Sequence, residues 1–229
     1  MFTGLVQDVG AVVTTRSTPS GCELTVAHAL GALVLGESIC VNGCCLTVVS
    51  SEDGGHARGK PAGTFCADVT HQTLGRTTLG QLRPGRRVNL ERSLRGSDLM
   101  GGHLVMGHVD SVARVAEVHS LGEDQHVCFE VPGALHGMLA PRGSVCVDGV
   151  SLTLTEAAPG SFCVTLIPHT RAVTGLGALE VGVEVNVEVD VIARYVAHAL
   201  EVRRGGTPGQ DEPPPETTLM STLKKAGLL

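Results

Sequence analysis

The sequence contains no tryptophan, a single tyrosine and only 2% aromatic residues. Single-stranded nucleic acid needs aromatic platforms for its bases, so that class of partner is excluded first. A cationic surplus is missing too: 17 Lys+Arg stand against 23 Asp+Glu, for a formal charge of −6. Without clustered cations nothing neutralises a phosphate backbone, and no nucleic acid is expected as a partner. No apolar run reaches the ~18–20 residues that span a bilayer. The N-terminus lacks the basic-then-apolar order of a signal peptide, so the chain is expected in the cytoplasm and away from membranes. Also absent are a glycine-rich phosphate loop, a nucleophile elbow and a histidine-rich metal pattern.

Cysteine is present, but not in pairs that announce a site. Cys22, Cys40, Cys44, Cys45, Cys66, Cys128, Cys146 and Cys163 contain no Cys-x-x-Cys. Their apolar, strand-like surroundings predict free, mostly buried thiols of a reducing compartment. Cys40, Cys44 and Cys45 would fall on opposite faces of a strand, so no metal is expected there.

What the 229 residues do hold is an internal repeat. Ser38-Ile-Cys-Val-Asn-Gly-Cys-Cys-Leu-Thr47 aligns with Ser144-Val-Cys-Val-Asp-Gly-Val-Ser-Leu-Thr153, 144 − 38 = 106 residues on. Phe65-Cys66 through Leu79-Gly80 recurs as Phe162-Cys163 through Leu176-Gly177, and Gly85 to Glu91 as Gly182 to Glu188, both offset by 97. A weaker echo links Met1-Phe-Thr-Gly-Leu-Val6 to Leu104-Val-Met-Gly-His-Val109. Two copies are too few for a solenoid, so two sibling domains are predicted.

Each copy reads as short strands. Val9–Val13, Ser38–Val49, Thr64–Val69 and Val88–Glu91 are β-branched or alternating and are bounded by turn residues. Glycine, 30 residues or about 13% against roughly 7% in average proteins, supplies the turns. Asn42-Gly43 and Asp148-Gly149 are turn dipeptides that tolerate positive φ. About six short strands in ~95 residues suit a small closed barrel, which leaves no open edge. Thr70–Leu79 and Pro168–Leu176 are each expected to hold a short helical turn, and Gly54–Gly63 a solvated insertion.

Beyond the barrels, Asp190–Arg204 carries Ile192, Tyr195, Val196, Ala199 and Leu200 at helical spacing. Asp190 is placed to cap that helix, and Arg203-Arg204 complement its C-terminal dipole. Its apolar stripe suits packing on its own barrels and suits an oligomer seam equally. Gly205–Thr218, with three consecutive prolines, reads as a flexible linker, and Leu219–Leu229 as a weak terminal helix.

Strand alternation turns the repeat into candidate chemistry. Cys45 and Thr47 share one face, as do Ser151 and Thr153, so both copies present a nucleophile or donor beside a threonine hydroxyl. Routine strand usage gives the same pattern in one copy; its recurrence argues for a site. Gly101-Gly-His103 and Gly107-His108 lead into the second copy, where a histidine serves structure as readily as catalysis. Asp148 replaces Asn42 at the equivalent turn, so one copy carries a carboxylate that the other lacks.

Met1-Phe-Thr-Gly-Leu-Val6, Val41-Asn-Gly-Cys-Cys-Leu-Thr47, Val88-Asn-Leu-Glu-Arg92, Gly101-Gly-His-Leu-Val-Met-Gly-His-Val109 and Val147-Asp-Gly-Val-Ser-Leu-Thr153 together resemble the tandem lumazine-binding family of the riboflavin synthases. The resemblance covers about residues 1–200. It implies an all-β fold: two tandem homologous six-stranded antiparallel β-barrels with a C-terminal α-helix. The expected layout is 1–98 and 99–189 for the barrels, 190–204 for an oligomerisation helix and 205–229 for a flexible tail. The implied reaction is a dismutation in which two 6,7-dimethyl-8-ribityllumazine molecules exchange a four-carbon unit, giving riboflavin and 5-amino-6-(D-ribitylamino)uracil. The implied assembly is a homotrimer, and no cofactor or metal is called for. A non-catalytic lumazine- or flavin-binding antenna protein is the alternative on the same barrels.

By matching position, the resemblance assigns an N-terminal pocket to Gly4, Leu5, Val6, Cys45, Leu46, Thr47, Asp68, Val69, Thr70, His71, Gln72 and Thr73. A C-terminal pocket falls to Gly107, His108, Val109, Ser151, Leu152, Thr153, Thr165, Leu166, Ile167, Pro168, His169 and Thr170. Arg142, where the family has lysine, would reach ligand across a subunit boundary. His108 and Ser151 are expected to assist proton transfer with Asp148 orienting them, and Cys45 and Ser38 to serve the partner lumazine. Gln72 and His169 stand where the family usually has glutamate.

Overall fold

A computed structural model describes residues 1–53 and 63–203. The predicted insertion at Gly54–Gly63, up to its last residue, and the segments predicted beyond Arg203 lie outside the described residues. Among the described residues, twelve strands divide equally between the two copies of the repeat. The first copy holds β1 (Asp8–Thr18), β2 (Gly21–His28), β3 (Ser38–Val41), β4 (Cys44–Asp53), β5 (Gly63–Thr70) and β6 (Arg87–Arg92). The second holds β7 (Ser111–Leu121), β8 (Asp124–Glu130), β9 (Ser144–Val147), β10 (Val150–Ala158), β11 (Ser161–Leu166) and β12 (Glu184–Val189). Each set closes into an antiparallel barrel, in the order β1-β2-β5-β4-β3-β6 and its counterpart β7-β8-β11-β10-β9-β12.

Alternation fills each barrel from one face of every strand. Val26, Ile39, Val41, Phe65 and Leu90 are among the side chains inside the first; Val127, Phe129, Phe162, Val164 and Val187 lie inside the second. Register shifts recur at matching places, after Val12 and Val48 in one barrel and after Val115 and Leu154 in the other. These bulges bend the strands around a small circumference. The run read as one strand, Ser38–Val49, is two, broken at Asn42-Gly43. Asn42 and Asp148 have φ of 45° and 44°, and Gly43 and Gly149 both 79°, the left-handed pair of a two-residue hairpin.

The predicted helical turns are α1 (His71–Arg76) and α2 (Pro168–Val173), each followed by a 3₁₀ turn, at Thr78–Gln81 and Gly175–Ala178. α3 (Val191–Arg203) takes its first hydrogen bond from the predicted cap, with Ile192 N–H donating to Asp190 Oδ1 at 2.8 Å. Ile192, Tyr195, Val196 and Leu200 on it are exposed.

The barrels meet at their two hairpin turns. A side chain on Gly43 would come within 2.9 Å of the Gly149 nitrogen, and one on Gly149 within 2.9 Å of the Gly43 nitrogen. Around this contact two asparagines act reciprocally. Asn89, buried in β6, donates its amide to the Asp148 carbonyl (2.8 Å) and accepts from Gly175 N–H (2.6 Å). Asn186, buried in β12, donates to the Asn42 carbonyl (2.7 Å) and accepts from Thr78 N–H (2.8 Å). Each asparagine satisfies a turn and a helix end of the other barrel. Asn42 Oδ1 and Asp148 Oδ1 complete the set by accepting from the Asn89 and Asn186 N–H groups, both at 2.7 Å.

Replacing Asn186 with alanine strands the Asn42 carbonyl and the Thr78 N–H, and buried unsatisfied groups cost about 1–3 kcal/mol each. Urea unfolding of Asn186→Ala should therefore show a loss of roughly 2–4 kcal/mol, against no more than a few tenths for an exposed control such as Gln72→Ala.

Candidate active site

Both candidate walls lie on the outside of the barrels. Leu46 and Leu152 point into the cores, so Cys45 and Thr47, and Ser151 and Thr153, face outward as alternation requires. Ser38 stands opposite Thr47 and Ser144 opposite Thr153, extending each outer row onto the neighbouring strand. Thr165 and Asp68 lie on outer faces of β11 and β5, while Thr70 accepts from Thr73 N–H at 3.2 Å and caps α1. The same alternation separates backbone from side chain in the carried-over pocket. Leu46, Val69, Leu152 and Leu166 are core side chains, at most 9% exposed, so a ligand outside can meet only their backbone.

Two loops complete the walls, and each crosses to the barrel it does not precede. Gly4 lies against Ser151, whose N–H donates to the Gly4 carbonyl at 2.8 Å, and Val6 packs on the second barrel's core. Gly107 lies against Cys45, whose N–H donates to the Gly107 carbonyl at 2.9 Å, and Val109 packs on the first core. The pockets expected from position are therefore regrouped: Gly4-Leu5-Val6 belongs with Ser151, and Gly107-His108-Val109 with Cys45. Glycine is required at both crossings, since a Cβ would sit 2.6 Å from Ser151 or 2.5 Å from Cys45, at φ of 74° and 78°.

Each loop is anchored by a buried glutamate at the end of its own barrel's last strand. Glu91 accepts from Thr3 N–H (2.6 Å), Thr3 hydroxyl (2.7 Å) and Gly4 N–H (3.0 Å). Glu188 accepts from the N–H groups of Met106 (2.6 Å), Gly107 (2.9 Å) and His108 (2.8 Å). Burial pushes the Glu188 carboxyl up to about 7, with the three N–H donors pulling the other way, and it raises Glu91 as well. Sequence reading aligned these glutamates within the repeat but gave them no role. The available signal was a polar residue recurring inside a buried strand.

A short bridge ties the two crossings together. Phe2 N–H donates to the Val105 carbonyl at 2.7 Å and Val105 N–H to the Phe2 carbonyl at 3.1 Å. Phe2, Val105, Cys40 and Cys146 form a small apolar cluster, with Cys45 packed on its side. Burial raises Cys40 and Cys146 well above the ordinary thiol value and pushes Cys44 up to about 12, which keeps all three as inert thiols.

The histidine beside Ser151 is His103. Its Nδ1 lies 2.7 Å from Ser151 Oγ, and its Nε2 is buried without a hydrogen-bond partner. Burial lowers its pKa, so the ring is neutral near pH 7 and can take a proton from the serine hydroxyl. His108 meets the site through its backbone N–H to Glu188. Asp148 does not orient His108 or Ser151: its Oδ1 is occupied by Asn186 N–H in the joint between barrels, where burial pushes the carboxyl up to about 7. It lines a cleft of about 780 Å³ with Asn42, Asn89 and Arg171, which includes neither Cys45 nor Ser151. Arg142 is exposed in a left-handed turn, φ 69°, next to β9. His71, Gln72, Ile167, Pro168 and His169 are exposed around the starts of α1 and α2, with Thr73 and Thr170 half-buried beside them.

The cysteines depart from expectation in two ways, Cys22, Cys45 and Cys66 being half-buried rather than buried and two others being bonded. Cys128 and Cys163 are joined by a disulfide between β8 and β11, whereas Cys22, Cys40, Cys44, Cys45, Cys66 and Cys146 are free. Spacing along the chain could not reveal a pair made by strand register, 35 residues apart.

The lumazine binding domain model matches residues 3–93 and again residues 106–190. Riboflavin synthase of Mycobacterium tuberculosis is 41% identical over 208 residues, 87% of this chain and 98% of its own. Riboflavin synthase of Actinobacillus pleuropneumoniae is 34% identical over 229 residues, 99% of this chain and 100% of its own. Among solved structures, LumP complexed with 6,7-dimethyl-8-(1'-D-ribityl) lumazine aligns with a TM-score of 0.69 at 26% identity, over 82% of this chain and 99% of that one.

The Glu188 anchor carries a pH signature. Its folded value near 7 exceeds the ordinary 4.5, so the folded chain holds this proton more tightly than the unfolded chain. Its stabilising contribution is complete below about 4.5 and declines as pH rises through about 7. Glu188→Gln cannot ionise, and its urea midpoint should fall less steeply with pH than that of the wild type, the remaining slope coming from Asp148 and Glu91.

Proposed function

The chain belongs to the lumazine-binding family, and from that membership we propose that it is a transferase making riboflavin, by dismutation of two 6,7-dimethyl-8-ribityllumazine molecules into riboflavin and 5-amino-6-(D-ribitylamino)uracil. The observation that carries this reading is the pair of equivalent outer walls, Cys45-Thr47 and Ser151-Thr153, each completed by a crossing loop. A reaction between two identical substrates calls for two such cradles, and their chemical difference lets one molecule give carbon and the other receive it. Fixing both rings converts a bimolecular encounter into an oriented one, which is where most of the rate enhancement would arise.

Ser151 with His103 is the proton-handling pair on one side, where the substrate's methyl group loses a proton. His103 Nδ1 and Ser151 Oγ share a hydrogen bond of 2.7 Å, and in the tautomer that carries its proton on Nε2 the neutral ring takes the serine proton. Cys45 and Ser38 serve the second molecule on the other wall. Backbone N–H and C=O groups at Leu46, Val69, Leu152 and Leu166 suit the pyrimidinedione edges, and Thr47, Thr153 and Thr165 the ribityl hydroxyls. Glu91 and Glu188 are positioning residues for the loops.

Both walls face outward, so one chain supplies open half-sites. A second copy would close them, with Arg142 as the cation that reaches across. The exposed apolar residues of α3 support an assembly, for which we favour the homotrimer. The described residues include no helix long and apolar enough to cross a membrane, and the reading places the enzyme in the cytoplasm. LumP is the observation in favour of a second reading, a binder without turnover; identities of 34–41% to synthases favour the enzyme.

Purified protein mixed with 6,7-dimethyl-8-ribityllumazine alone should form one riboflavin per two substrates consumed, followed by absorbance and chromatography. Tight binding with no product selects the binder instead. Ser151→Ala and His103→Ala should each lower kcat by about 10²-fold while lumazine affinity changes only a few-fold. An unchanged kcat removes the pair from the chemistry.

A further inference from the structure

Between β8 and β11, beside Thr165, the outer wall of the second barrel carries three residues that the proposed reaction does not use, His126, Cys128 and Cys163. Val127, Phe129, Phe162 and Val164 point inward, which turns His126, Cys128, Cys163 and Thr165 outward. Cys128 and Cys163 are direct register partners, Cα atoms 4.1 Å apart, and their sulfurs are bonded. His126 is two residues from Cys128 on the same face. Its Nδ1 lies 3.9 Å from Cys128 Sγ, and its Nε2 lies 3.4 Å from Thr155 Oγ1. A ring nitrogen of His126 and the sulfurs of Cys128 and Cys163 fall within 4.8 Å of one another.

The first barrel provides an internal comparison. Cys66 aligns with Cys163 in the repeat, yet its register partner on β2 is Thr25, with Thr25 Oγ1 3.3 Å from Cys66 Sγ. A hydroxyl cannot cross-link. The cluster therefore belongs to one half only, on a scaffold otherwise shared. The ladder between β8 and β11 runs through six register pairs, Ser161↔Glu130 to Leu166↔Gln125. Those backbone bonds hold the strands together whether or not the sulfurs are joined, so the bond can open without opening the barrel.

We propose that Cys128–Cys163 is a thiol-exchange site that small thiols open and close in the folded protein, with His126 as the proton partner of Cys128. Cys128 is the accessible sulfur, being half-buried where Cys163 is 7% exposed. An external thiolate attacks Cys128 Sγ, the protein S–S bond breaks, and Cys163 leaves as a thiolate that takes a proton from solvent. A second external thiolate attacks the outer sulfur of the mixed disulfide and releases Cys128 as a thiolate, which is protonated through His126. Two external thiols are thereby oxidised to one disulfide, and the protein disulfide is reduced to two thiols. Closure is the reverse, driven by a small disulfide, with His126 accepting the Cys128 proton.

The test uses the native full-length chain with dithiothreitol, then oxidised glutathione, with alkylation and peptide mapping at each stage. Expected is the joint appearance of thiols at Cys128 and Cys163 with the circular dichroism spectrum unchanged, and their joint disappearance on reoxidation. A bond that opens only in denaturant, or whose opening unfolds the barrel, overturns the proposal. So does zinc uptake by the reduced protein that blocks reclosure, which would mark a metal site. Cys163→Ser leaves Cys128 alone beside His126 and isolates the imidazole's part. In that background His126→Gln should slow iodoacetamide alkylation of Cys128 about tenfold at neutral pH and move its pH profile upward. An unmoved profile removes His126 from the mechanism.

Discussion

The reciprocal grip of Asn89 and Asn186 on each other's barrel is the constraint from which the rest of the molecule follows. Two closed barrels have no free edges with which to associate, and their cores are already filled. What remains is the backbone of their turns, and each asparagine binds a carbonyl in one turn and an N–H in another across the joint. Because the four contacts form two equivalent pairs, they fix a pseudo-two-fold relation between the halves. That relation brings the crossing loops within reach of Ser151 and Cys45, and without it neither outer wall would be complete.

Much of the fold was legible in the sequence because its signals are local. Period-two alternation gave the strand faces, Asn42-Gly43 and Asp148-Gly149 gave the hairpins, and Asp190 gave the start of α3. The repeat gave the duplication. Failures came where the physics is long-range. Nothing near Gly4 says that it will lie on Ser151, almost 150 residues away, so position in the repeat pairs each loop with its own barrel where the structure lays it on the other. His103 and His108 share one short loop, and only the folded geometry separates the ring beside Ser151 from the one anchored through its backbone.

Asp148 misleads for a different reason. As the single ionisable difference between matching turns it resembles a catalytic substitution, yet its position is set by the left-handed geometry that both turns need, and its carboxylate does the same capping as the amide of Asn42. The chemical differences that reach the surface lie elsewhere: sulfur at Cys45 against hydroxyl at Ser151, and a linked pair at Cys128–Cys163 against Thr25 and Cys66. In each case the duplicated backbone is kept while one outward atom changes, the kind of change a barrel tolerates because its packing is untouched.

The exchange of loops bears on how such a chain can be divided. Cutting it in the middle would yield two halves, each with an intact barrel and each with a strap whose landing place had gone away with the other piece. A solitary half would regain a finished wall only by meeting another half and trading straps with it. In that sense the single polypeptide is a dimer written as one sentence, and its covalent join guarantees that the two unlike cradles are always made in equal number.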